Sequence, residues 1–194
     1  MRHDRPAYGR GRWLWGSAAG VLALLLIAAS SGQAQQRGAA AGGAAASVER
    51  GRYLVNITGC HDCHSPKSQG MTPDPARLLS GRPSTTKMPT KADGEIHTSL
   101  DLTAWWGPWG QTVASNLTPD TATGMPSRGY NEKTFVATMR SGKKPNGTAV
   151  MPPMPIEVYQ NLTDDDLRSI WMYLATLKPI RNAVLAGIPN PTAK

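Results

Sequence analysis

The sequence predicts an all-α domain of about three to five helices, joined by long Gly- and Pro-rich loops with room for one short hairpin. Two observations lead to that fold class. Three segments after residue 47 combine helical spacing of apolar residues with a capping residue at the start. Between the first two of them, the stretch 65–129 is punctuated by glycine and proline and holds few apolar runs, which predicts loops.

The three helices are predicted over Val48–Thr58, over Asn131–Arg140 and from Thr163 to a stop at Pro179. Gly51 weakens the first helix but would let another helix cross closely there. The predicted N-caps are Ser47, Asn131 and Thr163. The residues predicted to face the core are Val48, Tyr53, Leu54 and Ile57, then Phe135, Val136 and Met139, then Leu167, Ile170, Trp171, Leu174 and Leu177. The hairpin would turn around Gly107-Pro108, among Trp105, Trp106 and Trp109.

Residues 1–34 have the anatomy of a secretory signal peptide, with four arginines, an apolar run over 18–29 and small residues at 32–34. They predict export to a bacterial periplasm, and an uncleaved membrane anchor is the alternative. Residues 35–47 are rich in Ala and Gly and predict a flexible linker. The folded domain is then expected over 48–182, with a C-terminal tail over 183–194.

The chain carries a formal net charge of +8. Part of that charge belongs to the leader, which contains four arginines and one aspartate. The remaining chain is mildly basic, which suits an acidic protein partner or anionic lipid heads. No basic helix or aromatic-interleaved basic run is present, so the sequence predicts no nucleic-acid partner.

Both cysteines of the chain fall in Cys60-His61-Asp62-Cys63-His64. A C-x-x-C-H run is typical of covalent haem attachment, with Cys60 and Cys63 bonded to the porphyrin and His64 binding the iron. The alternatives are a redox dithiol, a structural disulfide or part of a zinc site. A thioredoxin-like dithiol would need a βαβ pattern, and a structural zinc site takes four ligands. The sequence therefore predicts one covalently attached haem c with its iron.

Composition favours the same conclusion. Aromatic residues make up 6% of the chain and phenylalanine occurs once, which is a thin supply for a hydrophobic core. A flat apolar cofactor in the middle of the helices would supply the burial that the side chains lack. The predicted fold is therefore a few helices packed around one haem.

The sixth position on the iron decides between electron transfer and reactivity, and a methionine sulfur favours the former. Met154 is the predicted ligand, because prolines on both sides would present its sulfur on a stiff backbone. Met151, Met125 and Met88 also stand beside prolines and remain alternatives. His97 is the alternative for coordination by two histidines.

Several segments match one family in chain order: Gly51-Arg52-Tyr53-Leu54, Pro108-Trp109-Gly110, Ser115-Asn116-Leu117-Thr118-Pro119-Asp120, Thr134-Phe135, Arg140-Ser141-Gly142, Pro152-Pro153-Met154-Pro155, Tyr159, Leu162-Thr163-Asp164 and Tyr173-Leu174. With C-x-x-C-H they make the stretch 48–179 resemble single-haem class I c-type cytochromes. More narrowly, it resembles haem domains in the cytochrome c subunits of bacterial membrane alcohol and gluconate dehydrogenases. The resemblance implies the cytochrome c fold, and it implies that Met154, in the Pro-x-Met-Pro element, is the axial ligand.

The chain departs from that family at two points. The dehydrogenase subunits usually carry three haem sites, whereas this sequence holds one C-x-x-C-H run. The family's Gly-x-Gly-Trp stretch is replaced here by Gly124-Met125-Pro126-Ser127, which keeps Met125 among the candidate ligands.

The sequence thus predicts an electron carrier and no catalytic acid, base or nucleophile. Its expected partners are protein redox partners, with a dehydrogenase as donor and an oxidase or another cytochrome as acceptor. The N-terminus would give any membrane association. One alternative is the electron-accepting haem subunit of a periplasmic dehydrogenase complex. Another is a haem peroxidase or sensor with an open sixth position.

Overall fold

The computed structural model describes residues 45–68, 70–88 and 95–190, so the predicted leader, most of the predicted linker and residues 191–194 lie outside it. The helices in this part of the chain are α1 (Val48–Ile57), α2 (Cys60–His64), α3 (Glu132–Ser141), α4 (Ile156–Tyr159) and α5 (Asp164–Thr176). The strands are β1 (His97–Thr98), β2 (Ala104–Gly107), β3 (Gly110–Val113) and β4 (Ile188–Pro189). Short 3-10 turns cover Pro75–Arg77 and Pro126–Arg128. Among the helices described, none is long and apolar enough to cross a membrane.

The predicted N-caps of α1, α3 and α5 are confirmed. In each, the side-chain oxygen of the capping residue accepts a hydrogen bond from the backbone N–H three residues later. At α3 the bond is reciprocal, because the hydroxyl of Thr134 accepts from the backbone N–H of Asn131. These local bonds place the helix starts where the sequence predicted them.

The close helix crossing predicted at Gly51 is also confirmed. Helices α1 and α5 form the most extensive helix pair, and a Cβ on Gly51 would overlap the backbone carbonyl of Ser169. The backbone N–H of Ser47 donates to Ser169 Oγ at 3.1 Å, and Arg50 is paired with Asp166 at 2.8 Å. The absence of a side chain at Gly51 thus lets the two backbones meet.

The core faces of α1 differ in part from the prediction. The crossing at Gly51 turns Leu54 and Val55 inward, whereas Tyr53 and Ile57 are 55% and 58% exposed. On a helix the positions i, i+3 and i+4 share one face, and here that face starts at the glycine. The buried core cluster consists of Leu54, Val55, Leu79, Met125, Phe135, Ile170 and Leu174.

The prediction of an all-α fold is wrong, because the chain also contains a four-stranded antiparallel sheet in the order β1-β2-β3-β4. The hairpin predicted around Gly107-Pro108 is present and pairs β2 with β3. Its outer neighbours were missed. Strands β1 and β4 have two residues each, too few to show an alternating pattern, and β4 pairs with a strand far away in the sequence.

Strand β3 of the sheet continues directly into residues 114–117, which pack against residues 79–82. After β3 the chain passes beside residues 79–82, where Arg82 N donates to Ala114 O at 3.0 Å and Leu117 N donates to Leu79 O at 2.8 Å. Gly81 has a positive φ of 74°, and a Cβ there would lie 2.5 Å from the carbonyl carbon of Ser115. The two segments are therefore packed backbone against backbone.

Candidate cofactor-attachment site

The C-x-x-C-H run forms its own short helix, α2, which starts immediately after Gly59. Gly59 adopts the left-handed conformation with φ 76°, so the chain turns sharply between α1 and α2. Cys60 and Cys63 lie three residues apart on this helix and therefore share a face. Both are free thiols, and burial raises the pKa of each above its usual value. The structure thus brings two protonated thiols to one side of one helical turn.

His64 closes the helix and has a fixed orientation. Its Nδ1 lies 2.8 Å from the backbone carbonyl oxygen of Ser115. Since a carbonyl oxygen can only accept, Nδ1 carries the proton and Nε2 keeps its lone pair. Burial lowers the pKa of His64 to about 4, so the ring is neutral near pH 7. Within the described residues no donor is bonded to Nε2, and the ring can offer that atom to a metal.

A metal-binding histidine usually donates through its other ring nitrogen to a backbone carbonyl, and the sequence offers those of Pro66, Pro73 and Pro75 as nearby candidates for His64. The bond is present, but the acceptor belongs to Ser115. That carbonyl lies 51 positions further along the chain and reaches the ring only because the segment after β3 returns beside residues 79–82. No local pattern could have identified it.

Lys67 was missed as a support of the motif helix. Its Nζ donates to three backbone carbonyls at the end of α2, those of His61, Asp62 and Ser65, at 2.8, 2.9 and 2.8 Å. The last carbonyls of a helix lack partners within the helix, and a cation there also faces the negative end of the helix dipole. A lysine three residues after the motif was the available signal.

Ser65 ties α2 to the neighbouring loop and is fully buried. Its Oγ lies 2.8 Å from Nδ1 of His61 and accepts from the backbone N–H of Leu79 at 2.8 Å. The backbone N–H of Gly81 in turn donates to the carbonyl of His64 at 2.8 Å. The C-terminal end of the motif helix is therefore held by the segment 79–81.

Tyr159, on α4, connects the methionine loop to the cysteine end of the motif. Its hydroxyl donates to the backbone carbonyl of Thr58 at 2.7 Å, and the residue is 5% exposed. Burial raises the pKa of this phenol, and the neighbouring Cys60 adds to the effect. Met154 precedes Tyr159 by five positions, in the loop that leads into α4. The bond from Tyr159 to Thr58 therefore holds this loop near Cys60.

Met154 and Met151 are both half-buried, and they differ in their surroundings. Met154 lines an open groove of about 440 Å³ together with the three prolines around it and residues of α3 and α4, whereas Met151 is not among the lining residues. Cys60, Cys63 and His64 do not line this groove. The backbone N–H of Ile156 donates to the Met154 carbonyl at 2.9 Å, which fixes the backbone after the sulfur-bearing residue.

The other candidate ligands lie elsewhere. Met125 is 3% exposed within the core cluster, and its Sδ is 3.5 Å from Nη2 of Arg128. His97 stands on the edge strand β1, with Nε2 3.4 Å from the carboxylate of Glu95. In the described residues, no three His, Cys, Asp or Glu side chains are close enough to hold a metal ion together. Two thiols and a neutral imidazole with a free Nε2 are the donor set that haem c requires.

Comparisons with known proteins give a consistent result, although no protein-family model matches the chain. It is 27% identical over 135 residues to the fructose dehydrogenase cytochrome subunit of Gluconobacter japonicus, covering 69% of this chain and 22% of that protein. It is 25% identical over 136 residues to the cytochrome c subunit of the quinone alcohol dehydrogenase of Gluconobacter oxydans, covering 70% and 22%.

A third relative is the gluconate 2-dehydrogenase cytochrome c subunit of Pantoea cypripedii, 27% identical over 128 residues that cover 66% of this chain and 22% of that one. The chain thus spans about a fifth of the length of these three relatives. Over roughly two thirds of its length, the chain resembles the cytochrome c subunits of bacterial dehydrogenases.

Proposed function

We propose that this chain is an exported mono-haem c-type cytochrome that passes single electrons between protein partners. Cys60 and Cys63 would hold the haem through two thioether bonds, and His64 and Met154 would bind its iron. One observation carries the proposal. Two free thiols share a helix face beside a histidine whose Nδ1 is bonded to a carbonyl, which leaves Nε2 free. When bound, the haem supplies an iron that cycles between its ferric and ferrous states.

The protein's own contribution is to orient the side chains that would hold the haem. The Ser115 carbonyl fixes the ring plane and the tautomer of His64, so no proton shift accompanies metal binding. Lys67 and Ser65 hold the backbone of α2, which keeps the two thiols and the ring in one arrangement. No side chain has to transfer a proton or attack a substrate, as expected of an electron carrier.

Met154 is the proposed second axial ligand. The prolines on both sides of Met154 restrict the backbone that carries its sulfur. The hydrogen bond from Ile156 N to the Met154 carbonyl and the bond from Tyr159 to Thr58 link this loop to the start of the motif helix. A preset backbone loses little conformational entropy when its sulfur binds.

The direct test compares Met154→Ala with Met151→Ala in the purified holoprotein. The wild-type ferric protein should show the weak near-infrared sulfur-to-iron band, and its ferrous form should not bind carbon monoxide. Met154→Ala should abolish the band, lower the midpoint potential and admit carbon monoxide, whereas Met151→Ala should behave as wild type. Rapid carbon monoxide binding by the wild type would contradict methionine ligation and favour the peroxidase or sensor alternative.

The attachment step has a separate test. Replacing Cys60 and Cys63 with alanine should leave no haem bound after denaturation in acid and organic solvent, whereas wild type should retain it. Wild-type protein purified from the periplasm of a host able to attach haem c, but lacking covalent haem, would contradict the proposed function as a whole.

We further propose that the electron donor is a dehydrogenase and the acceptor an oxidase or another cytochrome, with the periplasm as the location. The relatives bear names of dehydrogenase cytochrome subunits, which supports a donor of that class. The chain would then act either as a mobile carrier or as the haem subunit of a complex. Purification from the native membrane and periplasm separates these forms: a subunit should co-purify with its dehydrogenase, and a mobile carrier should not.

A further inference from the structure

Arg128 is a half-buried arginine that lacks a carboxylate partner among the described residues. Its Nη2 donates to the carbonyl oxygen of Asn116 at 2.6 Å and contacts Met125 Sδ at 3.5 Å, and the guanidinium lies over the ring of Tyr130 at 5.9 Å. A guanidinium offers five N–H donors, so most of this group is not engaged by these contacts. Burial lowers the pKa of Arg128, which reflects the unfavourable loss of hydration.

A second cation stands beside it. Lys144 lies in a turn in which its backbone N–H donates to the carbonyl of Thr148 and its carbonyl accepts from the N–H of Gly147. Pro145 of this turn packs near Gly129, with 3.4 Å between its Cβ and a Cβ placed on the glycine. Burial lowers the pKa of the Lys144 ammonium, and the charge of Arg128 lowers it further. In the described residues Lys144 has no ion pair either. Two positive charges thus lie near each other where they are partly shielded from water. This arrangement is unfavourable unless an anion neutralises them.

The position of Arg128 relative to His64 points to the anion. Arg128 donates to the carbonyl of Asn116, and His64 donates to the carbonyl of the preceding residue, Ser115. The guanidinium and the imidazole are therefore fixed by consecutive carbonyls of one segment. The only anionic groups of a haem c are its two carboxylates, so a haem held by Cys60, Cys63 and His64 would supply the counter-charge that this pair of cations lacks among the described residues.

The other deeply placed arginine is a useful contrast. Arg82 is 2% exposed, and its guanidinium has Asp101 at 3.6 Å, Thr103 Oγ1 at 3.0 Å and the carbonyl of Lys87 at 2.5 Å. Its charge is balanced by Asp101, and both of its terminal nitrogens are bonded within the protein, although its buried Nε has no hydrogen-bond partner among the described residues. Among the described residues, Arg128 has carbonyl and sulfur contacts but no carboxylate near it, and in this it differs from Arg82.

From this juxtaposition we infer that Arg128 and Lys144 together bind the carboxylates of the haem. The inference rests on the proposed function and deepens it, because it adds a polar clamp to the thiol and axial attachments. The pair would orient the porphyrin about the axis through His64, and it would neutralise the carboxylates where water is partly excluded. Arg128 can grip one carboxylate with two parallel N–H donors, whereas Lys144 acts as a point charge.

The test is redox-induced infrared difference spectroscopy on holoprotein whose haem carboxylates carry carbon-13. The label identifies the carboxylate stretching bands of the cofactor among those of the protein. Arg128→Gln and Lys144→Gln should each shift these bands. Lys143→Gln is the matched control, because it removes the same charge from the adjacent, exposed position of the same turn and should leave the bands in place.

Covalent haem content and the near-infrared sulfur-to-iron band are measured on every variant, so that a change in the carboxylate bands is read only in protein with an intact site. If Arg128→Gln does not fold, the result of Lys144→Gln decides. That variant is expected to fold, because Lys144 lies in a turn whose neighbouring residues are mostly exposed. Carboxylate bands at wild-type positions in a well-folded Lys144→Gln or Arg128→Gln holoprotein would overturn the inference while leaving the proposed function untouched. Absence of covalent haem from the wild type would instead remove the proposed function itself.

Discussion

The two sides of the proposed haem site are built in different ways. His64 is fixed by residues distant in sequence, since its ring donates to Ser115 and its carbonyl accepts from Gly81. The Met154 backbone is fixed locally, by Met151 and Ile156 at 3.4 and 2.9 Å and by the prolines around it. The orientation of His64 therefore depends on contacts across the fold, whereas the backbone of Met154 itself is held within a short stretch of chain that Tyr159 ties to Thr58. We expect the former to be the more sensitive to substitution.

The largest effect is expected from Gly81→Ala, on the histidine side. A Cβ at Gly81 would lie 2.5 to 2.7 Å from backbone atoms of residues 114–116, and φ is 74°. Backbone atoms cannot move aside as a side chain can, so we expect a loss of about 3 kcal/mol or more in the free energy of unfolding. Gly147→Ala is the control, because φ is 82° there but nothing lies within 4 Å. It should cost about 1 kcal/mol.

Urea unfolding of the two holoproteins, followed by far-ultraviolet circular dichroism, measures both values. Equal losses in the two variants would show that the conformation of the glycine matters and the close approach to residues 114–116 does not.

A smaller effect is expected from Lys67→Met. The methionine keeps the apolar stem but removes three hydrogen bonds to the end of α2. Because the ammonium is partly exposed, we expect a loss of about 1–2 kcal/mol in the free energy of unfolding. The control is Lys143→Met, on an exposed turn, which should change it by no more than about 0.5 kcal/mol. The same urea experiment applies, and a Lys67→Met protein as stable as its control would contradict the supporting role.

The smallest effect is expected from Tyr159→Phe, at the link between the two sides. The change deletes one hydroxyl that donates to the Thr58 carbonyl at 2.7 Å and leaves the ring in place. We expect a loss of about 1 kcal/mol in the free energy of unfolding, since a partly buried carbonyl loses its partner. Tyr53→Phe, on an exposed ring, should be neutral within about 0.5 kcal/mol.

Thermal unfolding of the two phenylalanine variants with wild type alongside measures the difference. If Tyr159→Phe unfolds at the wild-type temperature, α4 is not tied to the motif through this hydroxyl.

Local signals predicted the helices well, and the reason is physical. Ser47, Asn131 and Thr163 cap their helices through bonds that span three residues, so the information lies within one turn. Gly51 likewise predicted a close helix crossing, although its position in the sequence could not identify Ser169 as the residue that it meets. The closeness of Cys60, Cys63 and His64 to one another also follows from their spacing in the sequence, because all three lie on one short helix.

What the sequence could not predict depends on distant contacts. The sheet was missed because β1 and β4 are two residues long and are defined only by their partners. The acceptor of His64 could not be found for the same reason, since Ser115 reaches the ring through the packing of residues 79–82 against 114–117. That Arg128 has no carboxylate beside it among the described residues likewise becomes known only from its three-dimensional surroundings.

The direct continuation of β3 into Ser115 has a consequence for how the chain can vary in length. An extra residue between Val113 and Ser115 would push the acceptor carbonyl out of register with the imidazole, since the backbone pairs with Thr103 and Arg82 at Ala114. An extra residue beside Gly147 would project into open space. Homologous sequences should therefore show insertions at the second place and a constant spacing at the first.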